Sequence, residues 1–280
     1  MLRNLVEVAE ADAPARIAAV YQDIRDVLGT SFVNLVYRHL ATDVASLEWS
    51  WSAIRPHLVA GSLTAQASQL RQAVAARCDG WAGVADATPP HPDPASVAAI
   101  SRLVASYNHA NAVNLMALSH VLPNPPSERS AIAAATTPGA APPATPSDEG
   151  EPLPPLPALE RLADDERRRI ERLNRYAEPG DPAIVASLYR HLAAWPGALY
   201  FAERILLPLE HDGLLAQGRA FTAGEAARVA VLHSLAMPPP PAGFESRFGA
   251  SLRQLRDVTI SKMLPIGQAL SHALASIPSR

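Results

Sequence analysis

Apolar residues recur at intervals of three and four along most of the chain. Ile17, Val20, Tyr21, Ile24, Val27 and Leu28 follow this spacing, which lines one face of a helix. The pattern predicts a helix from Asp12 to Leu28. Pro14 suits its first turn, where a missing N–H is no loss, and Gly29 suits its end. Val33, Val36, Tyr37 and Leu40 predict a second, short helix. Thr42-Asp43 offers the N-cap of a third, which carries Leu47, Trp51, Ile54 and Leu58 and closes at Gly61. Thr64 is the expected cap of a fourth, with Leu70, Val74 and Arg77.

The run Ala87-Thr-Pro-Pro-His-Pro-Asp-Pro94 cannot propagate a helix. From Ser96 to Leu122 the helical spacing returns, with Val97, Ile100, Val104, Leu115, Leu118 and Leu122 as its apolar positions. Asn108, Asn111 and Asn114 interrupt it on one slowly turning stripe. Ten of the chain's 27 prolines then fall between Asn124 and Pro157, so this stretch reads as a linker. Helix is expected again over Leu159–Tyr176, whose Asp-Asp-Glu-Arg-Arg-Arg run fits a solvated face with i,i+4 pairs. Further helices are expected from Pro196 to His211 and from Thr222 through Ala236. A breaker at Pro238–Pro241 precedes a last helical run from Ser251 to Ile277.

The two halves match at a constant offset. Tyr37-Arg-His-Leu-Ala41 recurs as Tyr189-Arg-His-Leu-Ala193, 152 positions later. Leu47, Pro56 and Gly61 match Leu199, Pro208 and Gly213, and Ala117-Leu-Ser-His120 matches Ala269-Leu-Ser-His272. An offset that holds at both ends points to duplication. The expected fold is therefore all-α, with two tandem helical repeats packed as an intramolecular pseudo-dimer. Residues 1–123 would form the first repeat, 124–157 the Pro-rich linker and 158–280 the second repeat. Pockets in such assemblies form between the halves. A chain that buries its own repeat interface is expected to be a monomer or a homodimer.

Composition narrows the function. With 48% hydrophobic and 18% charged residues the chain has material for a core and too little charge for disorder. A net charge of -3 gives no basic surface for nucleic acid. One cysteine, Cys78, excludes an internal disulfide and a Cys-x-x-Cys centre, and reads as a small core residue. The first twelve residues carry acids where a signal peptide needs an apolar run, and no stretch approaches the ~20 apolar residues of a membrane span. A cytoplasmic protein without membrane contact is expected.

Several residues could carry chemistry. Arg38-His39 and Arg190-His191 sit at equivalent places, either as an anion clamp or as cations at helix C-termini. His120 and His272 form another equivalent pair, but no His-Glu-x-x-His or carboxylate cluster supports a metal. The asparagine stripe can donate and accept, and so orient a water or a carboxylate, or serve as a polar seam between helices. Ser187, at the start of a short helix, could hold a carboxylate or simply cap the helix. No Gly-x-Ser-x-Gly surrounds it.

Taken together, the stretches Val20-Tyr-Gln-Asp-Ile-Arg-Asp-Val-Leu28, Phe32-Val-Asn-Leu-Val-Tyr-Arg38, Tyr107-Asn-His-Ala-Asn111, Ser187-Leu-Tyr-Arg-His-Leu-Ala-Ala-Trp-Pro196 and Asp257-Val-Thr-Ile-Ser261 resemble the group I 2-haloacid dehalogenases, which accept both stereoisomers of 2-halo acids. The resemblance spans nearly the whole chain. It implies an all-helical pseudo-dimer with the site between the repeats and no cofactor or metal. In that family an aspartate activates a water that attacks the halogen-bearing carbon directly, with no ester intermediate. Carried over, the apolar wall is Phe32 and Leu35, and the water-positioning amide is Asn108 or Asn111. Ser187 and the adjoining Tyr189 belong to the segment that holds the substrate carboxylate. The family's aspartate follows that serine, and here the position is Leu188. Leucine cannot accept a proton, so the standard hydrolysis loses its base. Two readings follow: an enzyme whose base has moved, to Asp181, Glu203 or Asp257, or a non-catalytic protein of the same fold that binds a small carboxylic acid or has a structural role. A looser likeness joins the repeats to alkylhydroperoxidase and carboxymuconolactone-decarboxylase proteins, whose peroxidase branch needs the Cys-x-x-Cys this chain lacks.

Overall fold

The structure, a computed structural model, describes residues 5–83, 92–122, 153–180 and 184–277. It is all-α, and no strand occurs among the described residues. We number the helices α1 (Ala15–Leu28), α2 (Leu35–Leu40), α3 (Val44–Val59), α4 (Ser62–Cys78) and α5 (Pro94–Val121). They continue as α6 (Asp164–Arg175), α7 (Ser187–Leu192), α8 (Ala198–His211), α9 (Leu214–Leu232), α10 (Phe244–Gln254) and α11 (Ser261–Ala275). A π-helical turn, Leu255–Ile260, joins α10 to α11.

The bounds repeat at the offset of the sequence matches. Helix α2 begins at Leu35 and ends at Leu40, and α7 begins and ends 152 residues later at Ser187 and Leu192. Helix α4 starts after Gly61 and α9 after Gly213, and both glycines adopt the left-handed backbone (φ 77° and 69°) that turns α3 into α4 and α8 into α9. Pro56 and Pro208 sit inside α3 and α8 at matching places.

Helices α4, α5, α9 and α11 pack against one another and form the centre of the molecule. Ile100, Leu103, Val104, Val113 and Leu115 of α5 and Leu264, Ile266 and Leu270 of α11 are buried there. Helices α1 and α3 pack together, as do α6 and α8. Where α5 crosses α11, Gly267 lies against Asn108. A β-carbon at Gly267 would fall 1.7 Å from Asn108 Oδ1, so any larger residue there would have to displace the Asn108 side chain.

The structure corrects several expected boundaries. Thr64 lies within α4, because Gly61 already starts the helix. Helix over 159–176 divides into a 3-10 turn at Leu159–Arg161 and α6. Thr222 is internal to α9, bonding back to Gly218 O at 2.8 Å, so its hydroxyl caps nothing. The last helical run begins earlier, at Phe244, and is interrupted by the π-helical turn. Asp43 caps α3 as expected, its carboxylate accepting from Ser46 N at 3.3 Å and from Ser46 Oγ at 2.5 Å. Cys78 is fully buried, and burial pushes its thiol up to about 12. Most of the Pro-rich stretch lies outside the described residues. Its end does not hang free: Pro154 O and Pro157 O accept from His191 and Arg190. No described helix is long and apolar enough to cross a membrane.

Candidate functional site

Two short segments meet at the middle of the molecule. Asn34-Leu35-Val36 opens α2, and Ala186-Ser187-Leu188 opens α7. Together with Tyr107, Asn111 and Asn114 of α5, Leu255, Thr259 and Ile260 of the π-helical turn, and Met263 of α11, they enclose a cavity of about 40 Å³. The lining pairs up at the 152-residue offset: Asn34 with Ala186, Leu35 with Ser187, Val36 with Leu188, Tyr107 with Thr259 and Asn111 with Met263. One member of most pairs is polar and the other apolar, so the wall is chemically lopsided.

Polar groups in this wall have capacity to spare. Asn34 caps nothing, and its Oδ1 is buried without a partner. Both side-chain heteroatoms of Asn114 are likewise unpartnered. Such groups are costly to bury dry, and about 40 Å³ accommodates roughly three waters. Ser187 Oγ accepts from Arg38 Nη2 at 3.3 Å. No carboxylate, histidine or cation is among the lining residues.

The structure separates the residues expected at the site. Leu35, Asn111, Ser187 and Leu188 line the cavity. Asn108 does not: its Nδ2 donates to Ser271 Oγ at 3.2 Å, at the crossing with Gly267. Of the two amides that the resemblance left open, Asn111 faces the cavity. Phe32 lies one layer out, stacked on Tyr107 with ring centroids 4.4 Å apart. Tyr189 is fully buried beside the cavity rather than in its wall, and its hydroxyl has no partner. Burial, with smaller contributions from Tyr176, Glu210 and Glu178, raises its hydroxyl pKa far above the ordinary value.

The acids considered as replacement bases are engaged elsewhere. Glu203 is held by Arg169 and Arg172 of α6. This also changes the reading of the charged run on α6, part of which pairs across to α8. Asp257 pairs with Arg256 and is half exposed. Neither lines the cavity, and Asp181 lies outside the described residues.

A buried network fixes the approach to α7. Asn174 Nδ2 donates to Ile184 O at 2.9 Å, and Ala186 N donates to Asn174 Oδ1 at 3.1 Å. Lys262, fully buried, donates to Asn174 O at 2.5 Å and to Glu178 Oε2 at 2.6 Å. Burial lowers the Lys262 pKa against the opposing pull of Glu178. Charge and amide together hold the backbone that presents Ser187 and Leu188. No spacing in the sequence announces this network, since Asn174, Ala186 and Lys262 come from three separate segments.

The paired Arg-His motifs are not solvent-facing cations. Arg38 and Arg190 are buried, and both meet one carboxylate, Glu7, with Arg38 Nε 2.8 Å from Oε2 and Arg190 Nη1 3.5 Å from Oε1. His39 and His191 are buried and their pKa values are lowered by desolvation. His120 bonds Gln66 Oε1 at 2.7 Å, His272 meets Gln268 Nε2 at 2.9 Å, and no cluster suited to a metal occurs among the described residues.

No family model matches the sequence, and no curated protein matches it. Among solved structures, a D-2-haloacid dehalogenase mutant in complex with D-2-CPA superposes with a TM-score of 0.58, covering 97% of this chain and 94% of that one. The chain has the fold of a D-2-haloacid dehalogenase. Identity over the match is 13%, so the likeness is one of fold. Within the dehalogenase fold, the cavity described above lies where two equivalent short helices begin.

Proposed function

We propose that this chain is a divergent relative of the group I 2-haloacid dehalogenases that binds a small carboxylic acid and does not hydrolyse carbon–halogen bonds. One observation carries the reading. Leu188, which the resemblance aligns with the catalytic aspartate, faces the cavity, and no lining residue can take a proton from water. Direct displacement of halide by water requires a base within hydrogen-bond reach.

What remains suits binding. Ser187 supplies a hydroxyl, Asn34, Asn111 and Asn114 supply amides, and Arg38 stands behind Ser187. Leu35, Leu188 and Met263 supply apolar lining. The recurring element bounds support residues 1–123 and 158–280 as two repeats joined by 124–157, with the ligand between the halves of a pseudo-dimer. Such a chain carries its own interface and works as a monomer or homodimer, with no nucleic acid or membrane partner and a cytoplasmic setting.

Calorimetric titration with propionate and with each enantiomer of 2-chloropropionate, followed by halide assay of the same mixtures, tests this reading. It predicts heat of binding that Ser187→Ala weakens, and no halide. Steady halide release, or no binding of any of these acids, would overturn it.

A further inference from the structure

A second, larger pocket of about 530 Å³ lies beyond Phe32. Its lining combines the cationic or polar Arg38, Arg190 and His191, the apolar Phe32 and Leu153–Leu156, and the acids Glu7 and Glu10. Glu10 is fully engaged, with Oε2 2.6 Å from Arg25 Nη1 and Oε1 accepting from Val33 N at 2.8 Å. Among the described residues that leaves two buried guanidinium groups, 152 residues apart in sequence, and a single carboxylate, Glu7, between them. Within that set the cluster carries one uncompensated positive charge. Arg38 also directs Nη1 to Val33 O and Nη2 to Ser187 Oγ, and each of these nitrogens keeps a second N–H. Arg190 directs Nε and Nη2 to Pro157 O and meets Glu7 only through Nη1, at 3.5 Å. That last contact is longer than a charge-assisted hydrogen bond.

Glu7 is presented there by its neighbours. Val6 O lies 2.7 Å from His39 Nδ1, and Val8 N donates to Arg38 O at 2.9 Å. The segment is thus anchored on both sides of Glu7 by α2, independently of its side chain.

We infer that this pocket is a second ligand site, for a monocarboxylate with an aromatic or branched apolar body, in which Glu7 occupies part of the ligand carboxylate's place. The ligand carboxylate completes the charge balance of Arg38 and Arg190, and its body lies on Phe32, Leu153 and Leu156. Arginine is suited to this because its fork meets a carboxylate with two parallel N–H groups. A volume in this range is that of small-molecule sites. A body of this size does not fit the smaller cavity, so the site stands whether or not that cavity binds a short acid.

Phenylacetate, with phenylacetamide as its neutral counterpart, is the probe, titrated calorimetrically into the full chain at low salt. Wild type is expected to bind the acid in preference to the amide. Glu7→Gln removes the competing charge, keeps the anchored segment, and is expected to tighten phenylacetate by about tenfold, the effect of one charge-assisted contact. Arg190→Met is expected to abolish the preference for the acid. Equal affinity of wild type and Glu7→Gln for phenylacetate would overturn the assignment. Should Glu7→Gln fail to fold, the wild-type comparison decides: preference for the acid supports the site, and equal or absent binding of acid and amide overturns it.

Discussion

Arg38 Nη2 donates to Ser187 Oγ across 3.3 Å, and the two residues lie 149 positions apart in the chain. The contact joins the start of α7 to the end of α2, and through Arg38 it reaches Glu7 and Val33 O. Replacing Arg38 with methionine leaves Glu7 with only its long contact to Arg190. Breaking a buried charge pair on one side costs about 3–5 kcal/mol. Urea unfolding of Arg38→Met should show a loss in that range, and Arg38→Lys should not restore it, because an ammonium cannot reach Glu7, Val33 O and Ser187 together. A loss within experimental scatter would mean the ion pair is peripheral.

Acid should destabilise the protein before its carboxylates titrate. Burial, with His57 and His233 nearby, lowers the His120 pKa from 6.5 to about 4. Gln66 Nε2 donates to His233 O, so its Oε1 faces His120 and the ring stays neutral with Nε2 as donor. Below pH 6.5 the unfolded chain takes up a proton that the folded chain refuses. This contribution is therefore complete above 6.5 and is lost as pH falls towards 4, by up to about 3 kcal/mol. His39, His109 and His191 shift in the same direction, each chiefly through burial. Denaturant melts between pH 7.5 and 4.5 should fall steadily, and His120→Gln should flatten part of the fall. Constant stability over that range would contradict the burial of these rings.

The crossing of α5 and α11 should be intolerant of a single methyl. Gly267→Ala places a β-carbon on Asn108 Oδ1, and overpacking of this kind costs about 1–3 kcal/mol. Asn108→Ala removes the obstacle. The double variant should be more stable than Gly267→Ala alone, giving a coupling that a double-mutant cycle reads directly. Additive losses would place the two residues out of contact.

Much of the helical framework is legible in the sequence, because three-and-four spacing and turn glycines are local signals. Asp43 as a cap, Gly29 as a stop and the long α5 all follow from neighbours within a few residues. The π-helical turn at Leu255–Ile260 is not legible, since it packs against α5 and α11 and carries no local signal. At the site, the resemblance pointed to Leu35, Ser187 and Leu188 but could not choose between Asn108 and Asn111. These differ by less than a helical turn, and only the position of α11 determines which one meets Gly267 and which the cavity. Arg38 and Arg190 looked like terminal cations by their place in sequence. Buried, they share the carboxylate of Glu7, which no spacing links to either.

Introducing a carboxylate at Leu188 should revive part of the missing chemistry. Leu188→Asp sets an acid beside Ser187 and in the same cavity as Asn111. The variant should be less stable, since the new group is buried and its pKa rises. It should also release halide from at least one enantiomer of 2-chloropropionate, at about 10²-fold or more above the wild-type background, the low end of what a positioned base contributes. A folded variant that releases none would mean that the cavity has lost more than its base.

Halide release by the purified wild-type protein, with each enantiomer of 2-chloropropionate at millimolar concentration, bears most directly on the role of Leu188. Chloride should appear no faster than in buffer for either enantiomer. Chloride accumulating in proportion to protein concentration would contradict the account, because a base would then be acting in or near a cavity whose described wall contains none.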